Sequence, residues 1–471
     1  TNDQLQVVDC PDLFAAGDCA VLEQGPTVPR AGVFAVRAGP ALIHNLLVAK
    51  RVQERRRFVP QKHFLALLNT CDGRAIATRG RFAGEGAVFF KLKDWIDRSF
   101  MKKFQVLCDD GHPQADFDAG MPAEMGEMVC GGCAAKLADE PLRQALSMLP
   151  PAPADADVVA GVHARDDVAI LRHNGGLLVQ TVDAFPAFSG DAFLVGRVAA
   201  VNALNDVYAK GAVPRFALAV VEVPQMHGAS ALTQALAGVR SVTDSLGVAL
   251  VGGHTTVGEG LKVGLSVTGV PFGDTPLWPT RGAAAGMALV LTRPLGSGVL
   301  LHAHMAGRAK GTWVAALHRH LVTSNETEVS VLRAFTVHAA TDVTGFGLAR
   351  HLRTMLAGDS DCGVLYPDCL PLLPGAGALL QAGERSTFHE QNRLDASVLE
   401  IAPPLGRDPI VEVIFDPQTA GGMLVAVSHA AAQSLVDDLH SAGCQDAAIV
   451  GLIAERRNGA CIRVEAGPAP D

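Results

Sequence analysis

A chain of 471 residues with 49% hydrophobic and 18% charged residues has the composition of a folded protein of roughly two to four domains. Its formal net charge of −9 gives no basic field for phosphate polymers, and 5% aromatics leave few platforms for base stacking, which excludes a general nucleic-acid binder. No apolar run approaches the ~20 residues that span a bilayer, and the ten cysteines are scattered as reduced, cytoplasmic thiols are, without a disulfide spacing.

The first block covers residues 1–108. It holds a strand-to-turn run, "DLFAAGDCAVL", then an amphipathic stretch, "RAGVFAVRAGPALIHNLL". A basic amphipathic stretch follows, "FFKLKDWIDRSFMKKF", with Leu92, Ile96, Phe100 and Phe104 at helical spacing. Such a helix has the character of a membrane-surface element, but packing on its own domain is the expected use and membrane contact is not. Residues 109–127 are polar, acidic and rich in Gly and Pro, the composition of an exposed linker.

The second block, 128–280, alternates strand-like and helix-like segments. "LLVQTVDAF" is a strand expected to end on Asp183. Asp191 is placed to cap a helix that Gly211 and Pro214 stop. "FALAVVEVP", "VALVGG" and "KVGLSVTGV" are further strands. The third block, 281–471, reads as strand, turn and helix in "MALVLTRPLGSGVLLHAHMAG" and as two strands around a Gly-rich turn in "EVIFDPQTAGGMLVAVS". A helix, "HAAAQSLVDDLHSAG", and a strand, "AAIVGLIAE", follow. Mixed strands and helices in two halves predict an α+β or α/β enzyme.

Chemistry concentrates in acids at element ends. Asp166 and Asp167 are adjacent carboxylates that repel unless a cation neutralises them. Asp206 falls near a helix C-terminus, where backbone carbonyls already disfavour a negative charge and a bound cation reverses the preference. Asn202 lies one turn earlier on the same face. Asp342 or Thr344 can cap the helix that follows them, and for a single Asp at a helix start a cap is the commoner role. Hard oxygen ligands of this kind suit Mg²⁺, which binds through a few carboxylates and substrate phosphates. Gly252 and Gly253, followed by His254 and Thr255, offer either backbone N–H groups to a phosphate or a plain tight turn. No P-loop and no complete dinucleotide-binding glycine motif is present. Cys130 and Cys133 form one C-x-x-C, too little for a zinc site by spacing alone. Cys133 and Lys136 in a Gly/Ala-rich segment fit a nucleophile and a phosphate-binding ammonium.

From about Val129 onward the chain resembles the selenophosphate synthetase (selenide, water dikinase) family of the aminoimidazole ribonucleotide synthetase-like ATP-binding superfamily. The resemblance rests on "GGCAAKL", "ARDDVAI", "TVDAF", "GRVAAVNALNDVYAKGAVP", "LVGGHT", "GLSVTG", "LTRPLGSGVL", "ATDVTGFGLARHL" and "FDPQTAGGMLVAV" in order. It implies a two-lobed enzyme that turns ATP, selenide and water into selenophosphate, AMP and phosphate with Mg²⁺. It implies Cys133 as the catalytic Cys and Lys136 as the catalytic, ATP-contacting Lys. Asp167, Asp206 and Asp342 fall at Mg²⁺ positions, and Asp183 and Asp206 border the nucleotide–metal cluster. Ala164, Arg165 and Asp166, with Gly253, His254 and Thr255, match nucleotide-contacting segments. A homodimer is implied, with strands of the first half pairing across subunits. The family often has a second Cys just before the lysine; Ala135 stands there.

Residues 1–108 resemble the C-terminal end of an FAD-dependent, NADH-dehydrogenase-like oxidoreductase, with Asp18 at its flavin-contacting acid. The glycine-bearing half is missing, so a truncated fusion partner without stable FAD is expected. The alternatives are a flavin oxidoreductase, a related superfamily small-molecule kinase, and a zinc module on Cys130 and Cys133.

Overall fold

The computed structural model describes residues 1–23, 28, 30–48, 54–70, 73–101, 145–149, 155–162, 166–225, 228–403, 405–456 and 459–467. Cys130, Cys133, Lys136, Ala164 and Arg165 lie outside these residues. The chain divides into two units, Thr1–Gly120 and Met121–Asp471.

In the first unit, the hairpin of β1 (Gln6–Val7) and β2 (Cys10–Phe14) precedes a helix, Gly32–Leu47. A meander of β3 (Ala66–Asn69), β4 (Ala75–Arg79) and β5 (Phe82–Gly86) leads into the helix Ala87–Met101. Both expected amphipathic stretches are therefore helices. Asn45 is fully buried and ties the unit together: its side chain donates to Gln4 O (2.8 Å) and Arg56 O (2.9 Å) and accepts from Arg56 N (2.7 Å). A buried amide with every group paired stabilises where an unpaired one would cost. The Ala87–Met101 helix packs on β4 and carries the ion pairs Lys93–Asp97 and Arg98–Asp94 at i,i+4 spacing. Leu92 and Ile96 stay partly exposed; the side chain of Phe100 and all of Phe104 lie outside the described residues.

The second unit has two lobes. In the first lobe, β6 (Val158–Ala160), β7 (Ala169–His173), β8 (Gly176–Pro186), β9 (Ala212–Pro224), β10 (Ala249–Gly258) and β11 (Lys262–Pro271) form one sheet in the order β10-β9-β11-β8-β7-β6. Only β9 and β10 run parallel within it; the connection is the helix Gly228–Ser245. The helix Ala192–Tyr208 packs against β8, β9 and β11, against the Gly228–Ser245 helix, and against elements of the second lobe. That explains why it is buried on nearly every side from Leu194 to Tyr208. Asp191 caps it as expected, accepting from Leu194 N at 3.1 Å. The two helices touch through glycines: a side chain at Gly196 would collide with Ala235 O, and one at Gly238 with Phe193 O.

The second lobe is a seven-stranded sheet in the order β13-β16-β12-β17-β14-β18-β15. Its strands are β12 (Met287–Leu291), β13 (Ala339–Asp342), β14 (Asp361–Leu365), β15 (Leu399–Ile401), β16 (Met423–Ser428), β17 (Ala448–Glu455) and β18 (Ile462–Val464). Helices Ser297–Met305, Gly311–Leu321, Glu326–Leu332, Gly347–Met355 and His429–Ser441 surround it. Among the described residues no helix is long and apolar enough to cross a membrane.

Four local expectations change. β8 continues three residues past Asp183, because its partner β11 pairs with it as far as Pro186. Gly252 and Gly253 sit inside β10, not in a turn after it: the register shifts between Leu250 and Gly252, and a side chain on Gly253 would strike Ala219 O of β9. Neither Asp342 nor Thr344 caps the Gly347–Met355 helix, which starts after Phe346 without a side-chain cap. Thr344 N is instead taken by His351 Nε2 at 3.1 Å. Finally, Pro409–Phe415 is a 3₁₀ helix and not a strand, since Asp408 accepts from Ile410 N at 2.9 Å and Pro409 starts the turn.

Candidate active site

The acids converge around the C-terminal half of the Ala192–Tyr208 helix. Thr181, on the helix-facing side of β8, donates to Asp206 Oδ2 at 2.6 Å. The same hydroxyl lies 2.9 Å from the carbonyl oxygen of Asp167. One threonine thus brings the backbone beside Asp167 to the carboxylate of Asp206, which is only 5% exposed. One turn back, Asn202 Nδ2 donates to Asp183 Oδ2. Asp166 turns elsewhere: its Oδ2 accepts from Lys210 Nζ (2.7 Å) and Thr280 Oγ1 (2.5 Å).

The second lobe meets the same helix through its Gly-rich turn. Ala420 N donates to Asn202 Oδ1 at 2.7 Å, and Asn325 N donates to Asn205 Oδ1 at 3.0 Å. Asn202 therefore links Asp183 to the second lobe. Ala420 has φ +48°, a left-handed conformation unusual for a residue with a Cβ. Arg293 holds that turn from behind, donating to Thr323 O (2.7 Å), His320 O (2.5 Å), Asn325 Oδ1 (3.2 Å) and Ala420 O (3.4 Å). Its Nε stands 3.8 Å from Glu328 Oε1. Burial lowers the Arg293 pKa and raises that of Glu328, and each charge partly offsets the shift of the other. Asp342 ends β13, a buried strand that contacts the Ala192–Tyr208 helix. Gly421 and Gly422 are closely packed: a side chain on either would strike Val343 O or Arg293.

The start of the Ser297–Met305 helix is filled by protein side chains. Gln418 Oε1 accepts from Gly296 N (3.0 Å) and Ser297 N (3.2 Å), and Asp416 Oδ2 accepts from Gly298 N (3.0 Å). The "PQTAGG" run thus serves packing and capping. Burial raises Asp416 to about 6, against the pull of the Val299 and Gly298 amides and of His389. A carboxyl raised in this way favours the folded state most below its unfolded value of 3.8 and loses that contribution as pH climbs to about 6. Wild-type stability relative to Asp416→Asn should therefore fall by roughly 2 kcal/mol between pH 4 and pH 7. Urea unfolding of both proteins across that range measures it, and parallel curves would refute it.

The structure brings Asp167, Asp183 and Asp206 to one helix and sets Asp342 on a strand packed against that helix. It does not bring Gly253, His254 and Thr255 there. They lie in the edge strand β10, paired with Ala219, Val220 and Val221, and two strands separate them from β8, about 14 Å across the sheet. Among the described residues no three His, Cys, Asp or Glu side chains form a ready-made metal cage. The oxygen donors still fit Mg²⁺, which takes one or two carboxylates and completes its shell with phosphates and water. Thr181, Lys210, Thr280, Arg293 and Asn325 were not legible as site residues. Lys210 had one signal, its position four residues after Asp206.

Two alternating lobes with acids at the joint define a protein of the AIR synthase related class. The N-terminal domain of AIR synthase related protein matches residues 165–271, and the C-terminal domain matches residues 284–463. The chain is 38% identical to the selenide, water dikinase of Pelobacter propionicus, over 69% of this chain and 93% of that protein. It is 35% identical to that of Desulfitobacterium hafniense strain Y51, over 72% and 98%. The chain belongs to the selenide, water dikinase family. Among solved structures, thiamine-monophosphate kinase from Stenotrophomonas maltophilia K279a aligns over 69% of this chain and 95% of its own, at 21% identity and a TM-score of 0.48.

Proposed function

We infer that the chain is a selenide, water dikinase, which makes selenophosphate from ATP, selenide and water and releases AMP and phosphate. The observation that carries this is the resemblance to enzymes of that name over nearly their whole length. The Asp167–Thr181–Asp206 arrangement at the lobe joint supports it. Asp167, Asp206 and Asp342 are the residues to hold Mg²⁺, which would offset phosphate charge and orient the triphosphate for in-line attack. Asp183, oriented by Asn202, borders the nucleotide. Cys133 handles selenium and Lys136 meets phosphate charge. Asp166 with its neighbours Ala164 and Arg165 is the further nucleotide-contacting segment.

A homodimer completes the reading. The sheet face of the first lobe away from the helices carries Val182, Phe216, Leu218 and Val220, all exposed, beside β10, which is an edge strand among the described residues. Such an apolar face suits a second copy.

Phosphorus NMR of the protein with ATP, selenide and Mg²⁺ tests the activity. AMP, phosphate and a selenide-dependent phosphorus resonance are expected. ADP without AMP would instead mark a related small-molecule kinase. Cys133→Ala should lose most of the selenide-dependent product; an undiminished rate would remove that residue from the chemistry.

A further inference from the structure

We propose that Lys210 and Asp166 form a positioning pair: they hold the segment that presents Asp167 to the metal–nucleotide complex. This rests on the function inferred above.

Lys210 is 3% exposed, and its ammonium reaches Asp166 Oδ2 at 2.7 Å. Thr280 donates to that same oxygen at 2.5 Å and accepts from Lys210. The backbone of Lys210 is engaged too, accepting from Trp278 N at 3.0 Å. Three segments therefore meet at one ammonium. They are the run entering β7, the end of the helix that carries Asp206, and the connector between the lobes. A buried ammonium is costly unless a close anion and a further acceptor meet it, and Asp166 and Thr280 supply both.

Asp167 follows directly. Its side chain is exposed, and its carbonyl oxygen lies 2.9 Å from the Thr181 hydroxyl. The clamp on Asp166 fixes one side of Asp167, and the Thr181 hydroxyl, whose single proton goes to Asp206, lies against the other. Two neighbouring acids thus take opposite roles, one committed inward to an ammonium and one turned outward. Placing a charged ligand to within a fraction of an ångström is worth large factors in affinity and rate.

Mn²⁺ is the probe, titrated by electron paramagnetic resonance in the presence of a non-hydrolysable ATP analogue. The variants are Lys210→Met and the neutral pair Lys210→Met with Asp166→Asn. Thermal unfolding without ligand is read alongside. Lys210→Met should weaken Mn²⁺ binding by about 10- to 100-fold, the range typical of lost supporting contacts. The neutral pair removes the unpaired buried carboxylate, so it should regain thermal stability while Mn²⁺ binding stays weak. Were Asp166 a direct ligand, Lys210→Met would leave Mn²⁺ binding unchanged or tighter, which overturns the proposal. A neutral pair that recovers both stability and wild-type Mn²⁺ binding overturns it equally, since the ion pair would then be only structural. Wild-type protein that fails to bind Mn²⁺ with the analogue would overturn the inferred function and this proposal with it.

Discussion

Asp206→Asn is expected to lower Mg²⁺-dependent ATP turnover by at least about 100-fold while the protein stays folded. The carboxylate is buried in the last turn of the Ala192–Tyr208 helix, where the carbonyl ends concentrate negative potential. That placement opposes folding and favours a dication. Asparagine is nearly isosteric and its oxygen still accepts from Thr181, so the local packing survives. Removing the charge relieves the helix terminus by about 0.3–1 kcal/mol, so the thermal midpoint should hold or rise slightly. Steady-state ATP consumption at several Mg²⁺ concentrations, with thermal unfolding in parallel, measures both. Normal turnover at ordinary Mg²⁺ would take Asp206 out of the metal site.

Arg293→Met should cost about 3–5 kcal/mol of stability, the range for breaking a buried ion pair from one side. Arg293 is the hub behind the lobe joint, and its guanidinium donates to three carbonyls and to Asn325. Methionine fills much of the volume but satisfies none of these acceptors, and it leaves Glu328 buried without its cation. The Ala420 turn then loses its rear support, and with it the bond from Ala420 N to Asn202 weakens. Chemical denaturation measures the loss, with Glu328→Gln as the milder comparison because its contact with Arg293 is 3.8 Å long. A loss under about 1 kcal/mol for Arg293→Met would show that the turn is held by other means.

Much of this architecture was visible in local patterns. Asp191 announced its helix, and the structure uses it as the cap. Asp206 stood out because it sat where a helix repels it. The glycine pair at 252–253 was harder. Its two readings were a turn or a phosphate cradle, and the structure uses it as a bulge and a close strand approach within β10. Asp342 looked like a helix cap because an acid before a helix usually is one, but His351 occupies Thr344 N and the helix begins later. The glycine pair was decided by a neighbour distant in the chain, whereas the cap was decided by His351, seven residues on.

The order of residues by itself determined the family, the alternation of strands and helices, and which acids stand at element ends, since all of these depend on periodicity, capping and short ordered motifs. Only the tertiary structure decided which polar groups meet. Asp166 finds Lys210 44 residues away and Thr280 114 residues away, and Asn202 finds Ala420 across 218. Partners so far apart are chosen by how helices and sheets pack, because a hydrogen bond is satisfied by whichever group burial brings within reach.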